Sequence, residues 1–306
     1  MKKNFILYLK IIISGLLLFI VLSKIDIRKL MSVLYESKIQ YIILSLIVIF
    51  FGIFISTFKW KIINEVITKE KYSWKKLLSY YFIGKFFSSF LPGSVGGDIS
   101  RVYYLKKKQG IKKSFSSVFL ERFTGFYILF SFFLISTFFL NLDLSYLKII
   151  KITCLVLFFI GTLILSLFKW RLKIIDKIAS FTKIQFLLDD YRSLVSKRNS
   201  LIYVFLLSFM FQILIIIFDL LLIASFSPLK NVSHLISLIL IANFLTNIPI
   251  SFNGLGLKEY FYLITLTPLG YSSEIAFAVG FLSYLLNLVS SLPGLLFYFR
   301  IKGSKV

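Results

Sequence analysis

Phe90-Leu-Pro-Gly-Ser-Val-Gly-Gly-Asp-Ile-Ser-Arg101 places Pro92, Gly93, Gly96, Gly97, Asp98 and Arg101 between strongly apolar segments. Irregular backbone exposed to lipid is excluded, because its N–H and C=O groups would lack partners. A Pro/Gly break followed by a charged pair therefore indicates backbone that lines a polar cavity. A second break, Ile248-Pro-Ile-Ser-Phe-Asn-Gly-Leu-Gly-Leu-Lys-Glu259, lies in the other half of the chain.

The setting of these breaks follows from composition. Of the 306 residues 58% are hydrophobic, with a mean hydropathy of +0.89, whereas a soluble domain is about 45–50% apolar. Apolar runs at 5–23, 40–58, 116–140, 147–168, 201–226 and 272–298 are long enough to cross roughly 30 Å of hydrocarbon. Two more regions, 77–91 and 233–268, are apolar but broken. The longest polar stretch, 169–200, is amphipathic and too short for a soluble domain. The expected fold is all-α: a polytopic membrane helical bundle of about six full spans plus two broken, re-entrant elements. Residues 1–306 read as a single integral membrane domain.

Charge distribution sets the topology. The net charge of +23 could mean nucleic-acid binding, but the cations sit in short loops between spans. There they orient the protein and contact anionic headgroups. Lysines 61, 69, 71, 75 and 76 precede the first broken segment, and Arg101, Lys106, Lys107, Lys108, Lys112 and Lys113 follow it. Both flanks should be cytoplasmic, so the segment is a hairpin rather than a span. Loop 169–200 and the C-terminal tail are basic as well, whereas 141–146 has no Lys or Arg. Loop 24–39 is assigned to the outer face as an interfacial amphipathic helix. Six spans then put both termini in the cytoplasm, with 6–22 as an uncleaved first span. The two broken elements open from opposite sides, which is the pattern of inverted repeats. Trp60, Trp74 and Trp170 fall at span edges, as an interfacial belt requires.

Several chemistries are excluded. The single Cys154 and single His234 permit no disulfide framework or Cys/His metal cluster. There is no Walker motif, GxGxxG, HExxH or nucleophile elbow, and no cofactor is expected. Asp189-Asp190 lies in a basic amphipathic loop and reads as a solvated helix face.

Two readings of the first break stand side by side. A helix starting at Asp98 after Gly96-Gly97 offers backbone N–H groups to an anion such as phosphate, with Arg101 one turn on as a bidentate partner. Alternatively, Asp98 caps the helix and pairs with Arg101. Glu121 lies in an apolar span, where an ionisable residue is costly and functional by default. It is too short to snorkel, and Arg101–Glu121 is the expected cross-element pair. Arg122 can reach the interface. In the second break, Glu259 either answers the helix dipole or serves as a counter-charge, with Lys258 beside it. Asp219, inside 201–226, should pair with a Lys or carry protons. Asn243, Asn247, Asn253 and Asn287 suit helix–helix hydrogen bonds. Lys10 and Lys85 either line a cavity or snorkel.

Three motifs in order resemble the lysylphosphatidylglycerol synthase transmembrane-region family, also known as flippase-like domain proteins: Leu91–Arg101, Glu121-Arg122 and Ile248–Glu259. The resemblance implies a multi-pass protein of the prokaryotic plasma membrane that moves or handles lipids between leaflets. In the multiple peptide resistance factor a similar domain flips aminoacyl phosphatidylglycerol made by a fused synthase domain. No synthase-sized segment is present in these 306 residues, so a separate lipid-modifying enzyme is an implied partner. The implied ligand is a membrane phospholipid or another lipid-linked anion, not nucleic acid. Its binding set would be Gly96, Gly97, Asp98, Arg101, Glu121, Arg122, Lys258 and Glu259. Asp219 or Glu259 would couple transport to an ion gradient. A membrane enzyme or accessory subunit acting on polyprenyl-phosphate or glycolipid is the alternative to a translocator, and the scarcity of catalytic residues argues against an enzyme.

Overall fold

A computed structural model describes residues 12, 14–90, 95–139, 156, 159, 162, 184–247 and 255–303. Besides a helical stretch at 14–22, these residues form ten α-helices and one 3₁₀ turn, with no strand among them. The helices are α1 (Ile27–Tyr35), α2 (Ile39–Thr68), α3 (Trp74–Phe90), α4 (Val95–Phe139) and α5 (Gln185–Ser196). They continue with α6 (Arg198–Phe226), α7 (Val232–Asn247), α8 (Leu257–Leu266), α9 (Ser273–Ser291) and α10 (Pro293–Gly303). Among the described residues four stretches are long and apolar enough to cross a membrane: Ile39–Thr68, Gly96–Ser136, Arg198–Phe226 and Ser273–Lys302. The expected span 5–23 is described at 12 and 14–23, whereas 147–168 lies largely outside the described residues, as do loop 141–146, Lys10, Cys154 and Trp170. The turns holding Pro92 and Gly93, and Pro249, Asn253 and Gly254, are outside them too.

Both breaks have the form of helical hairpins. The arms of the first are α3 and the start of α4. At 17 residues α3 is shorter than the roughly 20 residues a crossing needs. The arms touch backbone to backbone: a Cβ added at Gly97 would stand 2.1 Å from the Gly84 carbonyl oxygen. Their far ends meet as well. The Tyr72 hydroxyl donates to Gln109 Oε1, and Lys108 pairs with Glu70 at 3.3 Å. At Gly110 (φ 77°, ψ 166°) the helix breaks, and the long part of α4 begins. Both ends of this hairpin therefore lie together, as a re-entrant element requires.

The second hairpin repeats the design with α7 and α8, of 16 and 10 residues. At its base the Lys230 amide donates to the Tyr271 hydroxyl at 2.8 Å, and that hydroxyl donates to the Pro228 carbonyl at 3.2 Å. The Lys230 ammonium donates to the Gly270 carbonyl at 2.6 Å. Gly270, at φ 83°, turns the chain into α9. Only glycine adopts such backbone without strain.

The chain packs as two compact units. One holds residues 1–53, 79–100 and 213–306. Its core joins Phe218, Leu222 and Ile223 of α6 to Leu235 and Ile239 of α7, Tyr262 and Leu266 of α8, and Ala276 and Val279 of α9. Within it α10 lies directly on α3, where a Cβ at Gly294 would stand 2.1 Å from the Phe82 carbonyl oxygen. The other unit holds 54–78 and 101–212, with a core of Ile63, Val66, Ile67, Leu120, Leu194 and Val204.

Three expectations need adjustment. The run 40–58 continues as helix to Thr68, because the polar residues after Phe58 find partners inside the protein. Helix α4 starts at Val95, not Asp98, so Gly96 and Gly97 belong to its first turn. Trp60 is not in an interfacial belt but is fully buried. The helix expected in loop 24–39 is α1, whose Asp26 side chain accepts from the Arg28 and Lys29 amides. Ile27, Met31 and Tyr35 form an exposed apolar stripe on it, the geometry of a helix lying in an interface.

Candidate functional site

Each hairpin lies beside a buried ionic cluster. In the first, Glu121 projects from the long part of α4 and is met by two cations. Lys59 Nζ of α2 lies 3.1 Å from Glu121 Oε1 and donates to the Glu121 carbonyl oxygen at 2.9 Å. Arg101 Nη1 lies 3.2 Å from Glu121 Oε2. All three residues are at most 5% exposed. The fit has local causes. Gly125 follows Glu121 by one turn, and a Cβ there would stand 3.3 Å from the Lys59 ammonium. The Arg101 guanidinium lies over the Trp60 ring, 5.1 Å from its centroid, a cation–π contact. The indole N–H of Trp60 donates to Ser117 Oγ at 3.2 Å.

A chain of polar contacts leads from this cluster toward the hairpin base. Asn64 Nδ2 donates to the Trp60 carbonyl at 2.8 Å, and Gln109 Nε2 donates to Asn64 Oδ1 at 3.1 Å. Gln109 in turn accepts from Tyr72. A buried ion pair of this kind is not a cheap source of stability, since desolvation offsets the attraction. Two cations on one carboxylate leave a formal surplus of positive charge in the trio.

The second cluster keeps the same helix roles, with the acid on a long helix and the cation on the second hairpin arm. Asp219, fully buried on α6, receives Lys258 Nζ from α8 at 2.8 Å on Oδ1 and Asn243 Nδ2 from α7 at 2.9 Å on Oδ2. Lys258 also donates to Ser283 Oγ of α9 at 2.8 Å, and its ammonium faces the rings of Phe218 and Tyr262. Glu259, the next residue, is fully buried and takes no part in these bonds.

The structure thus brings together Arg101 with Glu121, and Lys258 with Asp219. Arg122 is exposed, because adjacent helical positions diverge by about 100°. Gly97 is taken up by packing on α3, while Gly96 and Asp98 sit partly exposed in the first turn of α4. Asn243 bonds across helices as expected, and Lys85 reaches Asn287 Oδ1 at 3.2 Å. Asn247 instead bonds back to the Asn243 carbonyl of its own helix. Asp189 is exposed beside Arg192, as a solvated face requires, whereas Asp190 is half-buried. Among the described residues no three His, Cys, Asp or Glu side chains converge as metal ligands. Lys59 is the member that sequence reasoning missed, and Trp60, expected at a span edge, is the one it misplaced. The Lys59 signal was a lysine one residue past an apolar run, which resembles an ordinary span end.

Apolar helices of crossing length, short tied hairpins and buried ion pairs define a multi-pass integral membrane protein. The chain belongs to the Lysylphosphatidylglycerol synthase TM region family, whose profile matches residues 7–294. A UPF0104 membrane protein of Methanocaldococcus jannaschii is 26% identical over 312 aligned positions, covering 94% of this chain and 92% of that protein. No solved structure matches the chain.

Proposed function

We propose that this protein handles phospholipids, or other lipid-linked anionic headgroups, and passes them between the leaflets of the cell membrane, with both termini in the cytoplasm. The observation that carries the reading is the trio Lys59, Arg101 and Glu121, where two buried cations share one carboxylate. Arg101 presents a planar fork matched to phosphate. It lies in the hairpin arm whose first turn holds Gly96, Gly97 and Asp98, so the arm's dipole favours an anion at its tip. Glu121 keeps Arg101 and Lys59 in place while no anion is bound. A phosphate reaching Arg101 displaces part of the Glu121 contact, so headgroup entry and hairpin movement are one event. Lys258 and Asp219 provide the corresponding hinge in the second hairpin.

The test is the leaflet distribution of fluorescent phospholipids in vesicles containing the purified protein. Wild type equilibrates or flips the label, and Arg101→Ala slows this by at least about tenfold, the cost of one lost charge-assisted bond. Equal rates in the two proteins sink the site. A wild type that moves no lipid transfers the case to an enzyme or accessory subunit acting on polyprenyl-phosphate or glycolipid. Cysteines at Lys69 and Lys107 in a Cys154→Ala background should be labelled from the same side. Labelling from opposite sides removes the re-entrant hairpin.

A further inference from the structure

The second hairpin contains an acid that the proposed phosphate site does not use. Glu259 is fully buried, and neither of its carboxylate oxygens has a hydrogen-bond partner. The group lies near the amides of Gly256 and of Glu259 itself, at the start of α8, without a well-formed bond to either. The adjacent cation is committed elsewhere, since Lys258 Nζ donates to Asp219 and to Ser283, each at 2.8 Å. Helix α9 presses on the same spot: a Cβ at Gly280 would stand 2.9 Å from Glu259 Cα and 3.0 Å from its Cγ. On another side Gly256 packs against the helical stretch 14–22, where a Cβ would meet the Ser14 carbonyl at 2.8 Å.

These neighbours offer little to a charge. Among the described residues, the titratable group beyond Lys258 that faces Glu259 is the Tyr284 hydroxyl of α9. The stretch 14–22 has no ionisable side chain, and α7, also packed on α8, has only His234 in its first turn. An ionised carboxylate so enclosed loses more in hydration than a helix N-terminus returns. A metal cation would need several oxygen ligands around it, whereas α9 brings Gly280 and Ala276 to this face.

We infer that Glu259 is a proton-binding site: it holds a proton while α8 is packed against α9 and the 14–22 helix, and releases it when that packing opens. Asp219, the buried acid of α6 beside this hairpin, is by contrast taken up by Lys258 and Asn243. If the protein translocates lipid as proposed above, each opening of the second hairpin then carries a proton, and transport responds to a pH gradient.

Thermal unfolding of the full-length protein in detergent tests the proton site without reference to lipid. The packed carboxyl keeps its proton at a pH where the unfolded chain, whose glutamates titrate near about 4.3, has already given it up. Wild type should therefore lose stability as pH rises from about 5 to 8.5, relative to Glu259→Gln, which mimics the protonated acid. The two proteins should melt together at the acid end. Parallel curves across the range overturn the inference, and so does a sodium-dependent rise in the wild-type midpoint that Glu259→Gln lacks. Should the variant fail to fold, infrared spectra of wild type at neutral pH decide instead. A buried carboxylic-acid C=O band supports the proton, and its absence overturns it. In vesicles, an imposed pH gradient should change wild-type lipid movement and leave that of Glu259→Gln unaltered. Loss of lipid movement in Arg101→Ala reports on the phosphate site alone.

Discussion

The two hairpins share a construction and differ in charge. Each pairs two short helices, ties its base with a tyrosine (Tyr72 or Tyr271), and ends in a positive-φ glycine, Gly110 or Gly270, that launches a long helix. Each places a cation from its second arm on a carboxylate from a long helix, Arg101 on Glu121 and Lys258 on Asp219. The first cluster adds a second cation, Lys59, whereas the second adds a second acid, Glu259. One architecture thus buries an extra cation beside one hairpin and an extra acid in the other. The helices fix where charges can stand, and single residues fix their sign.

The comparison breaks most visibly at the acids. Glu121→Ala leaves Lys59 and Arg101 buried against each other and should cost about 3–5 kcal/mol. Asp219→Ala leaves only Lys258, with Ser283 and two rings still beside it, and should cost about 2–3 kcal/mol. Denaturant unfolding in micelles reads both, and equal losses would mean that the second cation adds nothing. The glycines come next. Nothing lies within 4 Å of a Cβ at Gly110, so Gly110→Ala reports backbone strain alone. Its φ and ψ fall in a region that is nearly glycine-only, at a cost of about 1–3 kcal/mol. Gly270 is left-handed at φ 83°, ψ 23°, and Gly270→Ala should cost about 1–2 kcal/mol. A reversed order would show that the two launches are not equivalent. The ties come last, with Tyr72→Phe the smallest effect and Tyr271→Phe comparable to Gly270→Ala. Tyr72→Phe removes one hydroxyl bond and Tyr271→Phe removes two, at about 0.5–1.5 kcal/mol for each bond. Hydrogen exchange at residues 69–72 and 228–231 should increase in the matching variant only.

Much of this was legible in the sequence because the membrane restricts the choices. Apolar run length and Lys/Arg placement marked the helices, and the Pro/Gly breaks marked the hairpins. Glu121 stood out because an acid in a long apolar segment is too costly to stand there without a partner, and Arg101 was its nearest cation across the break. Lys59 did not stand out. A lysine at a span end usually snorkels, and only the tertiary fold shows that α2 continues inside the protein for nine more residues, to Thr68. Trp60 was misplaced for the same reason. The glycines at 96 and 97 were read toward a ligand, while Gly97 answers first to the Gly84 carbonyl, a contact that no local pattern announces.

Trp60 has a practical consequence. Its indole is sealed from solvent, bonded to Ser117 and covered by the Arg101 guanidinium. Indole emission is sensitive to a charge moving across its face. The protein therefore carries an intrinsic optical gauge at the centre of its cationic trio. Any event that draws Arg101 away changes the colour or brightness of a residue already in place, so the unlabelled wild type can report hairpin motion in real time.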